Sequence, residues 1–282
     1  MTVQSQEQPP QASKAGRNLP AAITVGLVLG VLLAVGLFFL PIVLVLLAAA
    51  AVSVGTWEVC HGLNQKRGMG IPTIPAVGTA LLMPFTAYYG GGSWLITTVV
   101  ASILLTIAWR AVGSKDGMIM SIMGSIFVMS WVPFMISLAL LLYREDAGPG
   151  KVLMILLMAI GNDTWGYIAG VKWGKTPMAP KISPKKTWEG FAGSMVGSLI
   201  VGTICAVAIG APWWHGLVVA VVLVVASTAG DLGESMVKRE IGIKDMSHIL
   251  PGHGGVMDRL DSIVFAIASG YAVFALLEAL PA

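Results

Sequence analysis

Asp231, Glu234, Ser235 and Lys238 recur at i, i+3, i+4 and i+7 in DLGESMVKRE, 231–240, so a helix there carries all four on one face. Carboxylates and a lysine on one stripe make a surface for a metal ion and a phosphate. A solvated helix end with i,i+4 ion pairs would use the same residues. Downstream, DRLDS sets Asp258, Arg259, Asp261 and Ser262 at the start of the last apolar stretch, with Asp258 and Asp261 one turn apart. Oxygen donors at that spacing suit a hard cation such as Mg2+, which takes one or two carboxylates and leaves places for substrate phosphate. Aspartates are also ordinary partners of a helix N-terminus. Four charged or polar groups leading a membrane span are nonetheless costly unless they are used.

Between these stretches lies IKDMSHILPGHGG, 243–255, with Lys244, Asp245, Gly252, His253, Gly254 and Gly255. Glycines let backbone N–H groups turn towards an anion, and a following helix N-terminus adds partial positive charge. A simple turn explains a lone glycine run equally well. Two further stretches converge on the same chemistry. In GNDTWGYIAG, 161–170, Asp163 sits well inside an apolar run, where a carboxylate needs a partner or a water-filled cavity. Pairing for helix packing alone is the plainer alternative. KISPKKTWEG, 181–190, presents Ser183, Lys185, Lys186, Thr187 and Glu189 just before another apolar run. Lysines in that position can also be orientation charges or anionic-lipid contacts. Taken together, the inventory fits a divalent metal holding a polyphosphate beside a membrane-embedded phosphate. The sequence has neither a GxxxxGK[ST] loop nor an HExxH motif, and it does not demand a covalent nucleophile.

The elements that must position these residues are membrane spans. Of 282 residues, 56% are hydrophobic and only 11% are charged, against about 25% charged in ordinary soluble domains. A span needs about 20 mostly apolar residues. Candidate spans are 20–40, 41–60, 72–89, 93–110, 118–142, 152–171, 189–210, 213–230 and 259–280, an all-α polytopic fold of about nine transmembrane helices. The first two are divided only by Pro41, either a tight turn or a kink. Residues 1–19, rich in Gln, Pro and Ser, read as a disordered cytoplasmic tail. Residues 20–158 read as N-terminal spans, and 159–282 as the catalytic region with its cytoplasmic loops. With the N-terminus inside, Arg144 and Lys151 alone among the 17 Lys and Arg residues fall outside, a strong positive-inside bias. The expected site therefore faces the cytoplasm. Cys60 and Cys205 read as small buried hydrophobes rather than a disulfide or metal pair. A transporter is the alternative from another class. The apolar outer halves of the spans and the lack of a clear internal repeat disfavour it.

The stretch SMVKREIGIKDMSHILPGHGGVMDRLD, 235–261, resembles the signature of the phosphatidate cytidylyltransferases, also called CDP-diacylglycerol synthases. The DT…Y…G…GK and ISPKKTxEG elements upstream are similar too, so the likeness covers about residues 160–282. Trp165, Gly166 and Ser194 depart mildly from the pattern. The resemblance implies transfer of a cytidylyl group from CTP to phosphatidate, giving CDP-diacylglycerol and pyrophosphate, with Mg2+ required. It implies Asp231 and Asp258 as metal ligands, with a second, monovalent cation such as K+ as an accompanying candidate. Lys238, Arg239, Lys244 and Arg259 would then neutralise the triphosphate and the leaving pyrophosphate, with Asp245 and Asp261 close by. The 252–255 backbone and His253 would touch a phosphate. Ser183, Lys185, Lys186, Thr187, Glu189 and Ser235 would hold nucleotide or lipid phosphate, with Asp163 supporting the lysines. Another CTP-dependent lipid kinase or cytidylyltransferase is the near alternative. The expected partners are CTP, phosphatidate and the bilayer of a bacterial inner membrane, with no nucleic acid. The general tendency of membrane enzymes of this size admits a homodimer.

Overall fold

The chain folds into helices that run to and fro between two ends of a bundle. The computed structural model describes residues 19–113, 116–247, 249 and 254–279. The predicted tail up to residue 18, with Lys14 and Arg17, lies outside the described residues, as do Lys115, Gly252 and His253.

Helices α1 (Leu19–Phe38) and α2 (Pro41–Arg67) are separate elements. The chain turns at Phe39 and Leu40, whose amides both donate to Val35 O, and Pro41 starts α2 where its missing N–H costs nothing. The tight-turn alternative therefore holds over a kinked single span. Helix α3 (Thr73–Phe85) passes through one π-helical turn and breaks at Gly91, whose φ of 76° admits glycine readily, before α4 (Gly91–Val112). The two helices then pack against each other. Helices α5 (Met118–Met129) and α6 (Met135–Tyr143) join through a second π turn, where Pro133 supplies no N–H. Next come α7 (Gly148–Trp173), α8 (Trp188–Ala208), α9 (Trp213–Glu240) and α10 (Met257–Glu278).

Among the described residues, seven helical stretches are long and apolar enough to cross a membrane. The expected nine differs from this for two reasons. One stretch is the 40-residue run Thr73–Val112, unbroken in helical pattern despite the turn at Gly91. The described apolar part of α1, Ile23–Phe38, is shorter than the others. The all-α expectation also missed a small antiparallel hairpin between α7 and α8, formed by β1 (Pro177–Ala179) and β2 (Ser183–Thr187).

Polar contacts define the two ends. At one, Lys151 pairs with Glu145 at 3.4 Å and with Glu278, joining the α6–α7 turn to the end of α10. At the other, Arg67 pairs with Glu240, and Ser121 Oγ donates to Gly70 O at 2.6 Å. This second end gathers the α2–α3 connection, the start of α5, the hairpin and the α9–α10 loop. Arg144 and Lys151 thus stand at the end away from the described basic loops.

Candidate functional site

The site begins where α7 and α8 touch. A Cβ placed on Gly166 would lie 2.7 Å from Ser194 Oγ, and one on Gly190 would lie 2.8 Å from Gly166 O. On Gly193 it would collide with the Cβ of Ala169, so the backbones meet with nothing between them. Small residues permit this approach in lipid, where dispersion and interhelical hydrogen bonds replace the hydrophobic driving force. Ser194 Oγ adds such a bond, donating to Asn162 O at 2.5 Å. The departures Gly166 and Ser194 therefore fit one another. Trp165 lies against Gly197, where a Cβ would strike the indole.

At the near end of α8, Thr187 is the N-cap, its Oγ1 accepting from Gly190 N at 3.1 Å. Glu189 accepts from Lys175 N and Thr176 N, each at 3.1 Å, and from Thr176 Oγ1 at 2.9 Å. These two residues thus brace the base of the hairpin, and Thr187 also lines the cavity beside it. Strand β2 then carries Lys185 and Lys186 to the mouth of this cavity of about 250 Å³, which Asn162, Asp163, Tyr167 and Asp231 also line. There Lys186 forms an ion pair with Asp231. Ser183 is half-buried on β2 opposite Ala179.

Helices α9 and α10 approach at Gly230, where a Cβ would lie 2.5 Å from Asp261 O. That contact sets Asp231 beside Asp261, and each carboxylate lies in the field of the other. Ser262 Oγ donates to Asp163 Oδ2 at 3.3 Å, tying α10 to α7, while Ser262 N donates to Asp261 Oδ1 at 2.6 Å. One turn after Asp231, Glu234 is fully buried, with Asp261 beside it. Its cation is Lys238, 3.4 Å away, which also donates to Asp258 Oδ1 at 2.8 Å. Asp258 accepts further from Gly255 N at 2.8 Å through Oδ2 and from Met246 N, shared between Oδ2 at 2.9 Å and Oδ1 at 3.2 Å.

The cluster therefore holds five carboxylates, Asp163, Asp231, Glu234, Asp258 and Asp261, against the ammonium groups of Lys186 and Lys238. Such an excess of negative charge, partly removed from water, invites a divalent cation. Among the described residues no three His, Cys, Asp or Glu side chains stand as a preformed ligand set. Mg2+ needs none, because one or two carboxylates and substrate phosphate oxygens suffice. Asp231 fits that role well. It opens onto the cavity and, besides Lys186, meets only a long 3.4 Å contact from Ser235 Oγ among the contacts described. Asp258 fits it chiefly through Oδ1, which Lys238 holds and which takes a longer 3.2 Å bond from Met246 N.

Arg239, Lys244, Asp245 and Arg259 are exposed around the mouth of the α9–α10 loop. Gly254 has a φ of 79°, and a Cβ there would lie 2.9 Å from Asp258 Oδ2. The expected phosphate contacts of Gly252 and His253 lie outside the described residues. Sequence reasoning passed over Glu58 on α2, which is fully buried and accepts from Val256 N at 2.9 Å and Met257 N at 2.7 Å. A lone carboxylate inside an apolar span was the available signal, the same one that picked out Asp163.

A polytopic helical membrane protein with a carboxylate and lysine cluster at one end of its last helices is the class these features define. The chain belongs to the cytidylyltransferase family, whose model matches residues 20–277. It is 38% identical to the phosphatidate cytidylyltransferase of Mycobacterium bovis, over 96% of this chain and 93% of that protein. The enzyme of the same name from Mycobacterium leprae is 37% identical over 94% of this chain and 90% of its own length. One from Brucella abortus is 40% identical over 49% of this chain.

Proposed function

We infer that the protein is a nucleotidyltransferase that moves a cytidylyl group from CTP to phosphatidate, releasing CDP-diacylglycerol and pyrophosphate. The observation that carries this reading is the cavity in which Lys185 and Lys186 face Asp163 and Asp231 at the membrane end of α7–α9. Near full-length likeness to enzymes of that name supports it.

The chemistry asks for little beyond positioning. A phosphate oxygen of phosphatidate already carries negative charge, so it can attack the α-phosphorus of CTP without a strong base. The bond to the β-phosphate breaks, and pyrophosphate leaves with the electron pair. The barrier lies in bringing two polyanions together and in stabilising charge on the leaving group. Lys185 and Lys186 at the cavity mouth would draw one phosphate in. Lys238, Arg239, Lys244 and Arg259 would screen the triphosphate. Mg2+, held by Asp231 and by Asp258 through Oδ1, would offset phosphate charge there, and a monovalent cation such as K+ would accompany it among the remaining carboxylates. Asp261, Glu234 and Asp163 would set the field around that ion.

The basic loops sharing one end of the bundle support nine spans with a cytoplasmic N-terminus and a cytoplasmic site in a bacterial inner membrane. A homodimer fits this size of membrane enzyme. Product analysis tests the function. Purified protein with CTP, Mg2+ and phosphatidate is expected to release pyrophosphate and form a CDP-lipid. Release of CDP with a newly phosphorylated lipid would overturn the reading in favour of a kinase.

A further inference from the structure

Glu58 sits on α2, in the half of the chain that supplies none of the residues assigned above. Its oxygens take Val256 N at 2.9 Å, Met257 N at 2.7 Å and Ser247 Oγ at 2.5 Å. These donors bracket the segment that leads from α9 into α10. The first amides of a helix have no acceptor within the helix, and here two of them find it on another span. A carboxylate also stands favourably at the positive end of the helix dipole.

One residue further on, Asp258 is fixed from the opposite side by Gly255 N and Met246 N. A Cβ on Gly255 would lie 2.7 and 2.8 Å from the two oxygens of Glu58, so no other residue fits there without displacing them. Gly254 and Gly255 thus give two carboxylates access to the same loop. Three amides that a phosphate could have used, those of Gly255, Val256 and Met257, are already bound to Asp258 and Glu58.

We propose that Glu58 is a positioning residue for cytidylyl transfer: it ties Ser247 to the start of α10 so that Asp258 faces Lys238 and the carboxylates of α9 and α10. The kinetic part of this inference rests on the proposed function, and the positional part rests on the loop contacts alone. Breaking charge-assisted bonds to a buried carboxylate frees Ser247 and the start of α10 first, since the spans on either side keep their own packing.

The test compares full-length wild-type protein with Glu58→Gln, Glu58→Asp and Ser247→Ala in detergent. Hydrogen exchange of peptides covering 243–262 is measured beside the Mg2+ concentration that half-saturates pyrophosphate release. Glu58→Gln is expected to speed exchange in that segment by on the order of tenfold, with α7 and α8 unchanged. It is expected to raise the half-saturating Mg2+ concentration by about 10–100-fold while leaving the KM for phosphatidate at the wild-type value. Glu58→Asp and Ser247→Ala should move both readouts in the same direction by less. If Glu58→Gln does not fold, Ser247→Ala decides by the same two readouts, because it removes one donor and no charge. Wild-type exchange and wild-type Mg2+ dependence would overturn the proposal, as would protection lost evenly over all helices. A wild-type protein that releases no pyrophosphate would contradict the function instead, and exchange would still judge Glu58.

Discussion

Lys238 Nζ stands 2.8 Å from Asp258 Oδ1 and 3.4 Å from Glu234 Oε1, so one ammonium on α9 binds a carboxylate of α10 and a buried carboxylate of its own helix. The Lys238 and Asp258 side chains are 14% and 7% exposed, too little for water to replace either partner. Lys238→Met should therefore destabilise the fold by about 3–5 kcal/mol, because two carboxylates lose their cation. Adding Asp258→Asn should return part of that stability without returning activity. Thermal unfolding in detergent, run as a double-mutant cycle with turnover measured on each variant, checks both outcomes.

The α7–α8 seam predicts a contrast between two glycines. Gly193→Ala forces a methyl group against Ala169 and should cost about 1–3 kcal/mol, with turnover falling as Lys186 moves off Asp231. Gly78→Ala on α3 meets nothing within 4 Å and should be neutral or stabilise by about 0.5–1 kcal/mol. Unfolding midpoints of the two variants, side by side, check the seam.

Sidedness can be read by labelling. In a background with Cys60 and Cys205 changed to Ser, Asp146→Cys should react with a membrane-impermeant maleimide in intact cells. Lys181→Cys and Lys244→Cys should react only after the membrane is opened. Labelling of all three from one side would contradict the assignment of the two ends.

Metal dependence follows from the charge imbalance of the cluster. Chelation with EDTA should stop pyrophosphate release, and added Mg2+ should restore it, since a triphosphate entering the cavity meets Asp163 and Asp231, and more carboxylates lie close behind. Full turnover under chelation would show that the lysines alone suffice.

Much of this site could be read from residue spacing. Asp231, Glu234 and Lys238 share a face because α9 continues past the apolar stretch, and Asp163 stood out as a carboxylate within an apolar run. Asp261 and Asp231 meet because Gly230 lets the helices touch, which spacing within either helix could not reveal. Glu58 was visible as a lone carboxylate in an apolar run, but its partners Ser247, Val256 and Met257 lie far along the chain and no local pattern points to them. Thr187 lines the cavity and is also an N-cap, a second role that a Thr just before an apolar helix makes legible. The hairpin escaped because KISPKK lacks alternating apolar residues, and Glu189 holds its base through backbone amides.

The most direct test of the carboxylate cluster is pyrophosphate release from CTP and phosphatidate by Asp231→Asn and Asp258→Asn, each compared with wild-type protein in the same detergent and Mg2+. Each variant is expected to remain folded and to lose at least ~100-fold in turnover. Wild-type turnover in either one would contradict the assignment of a shared cation between the inner ends of α9 and α10.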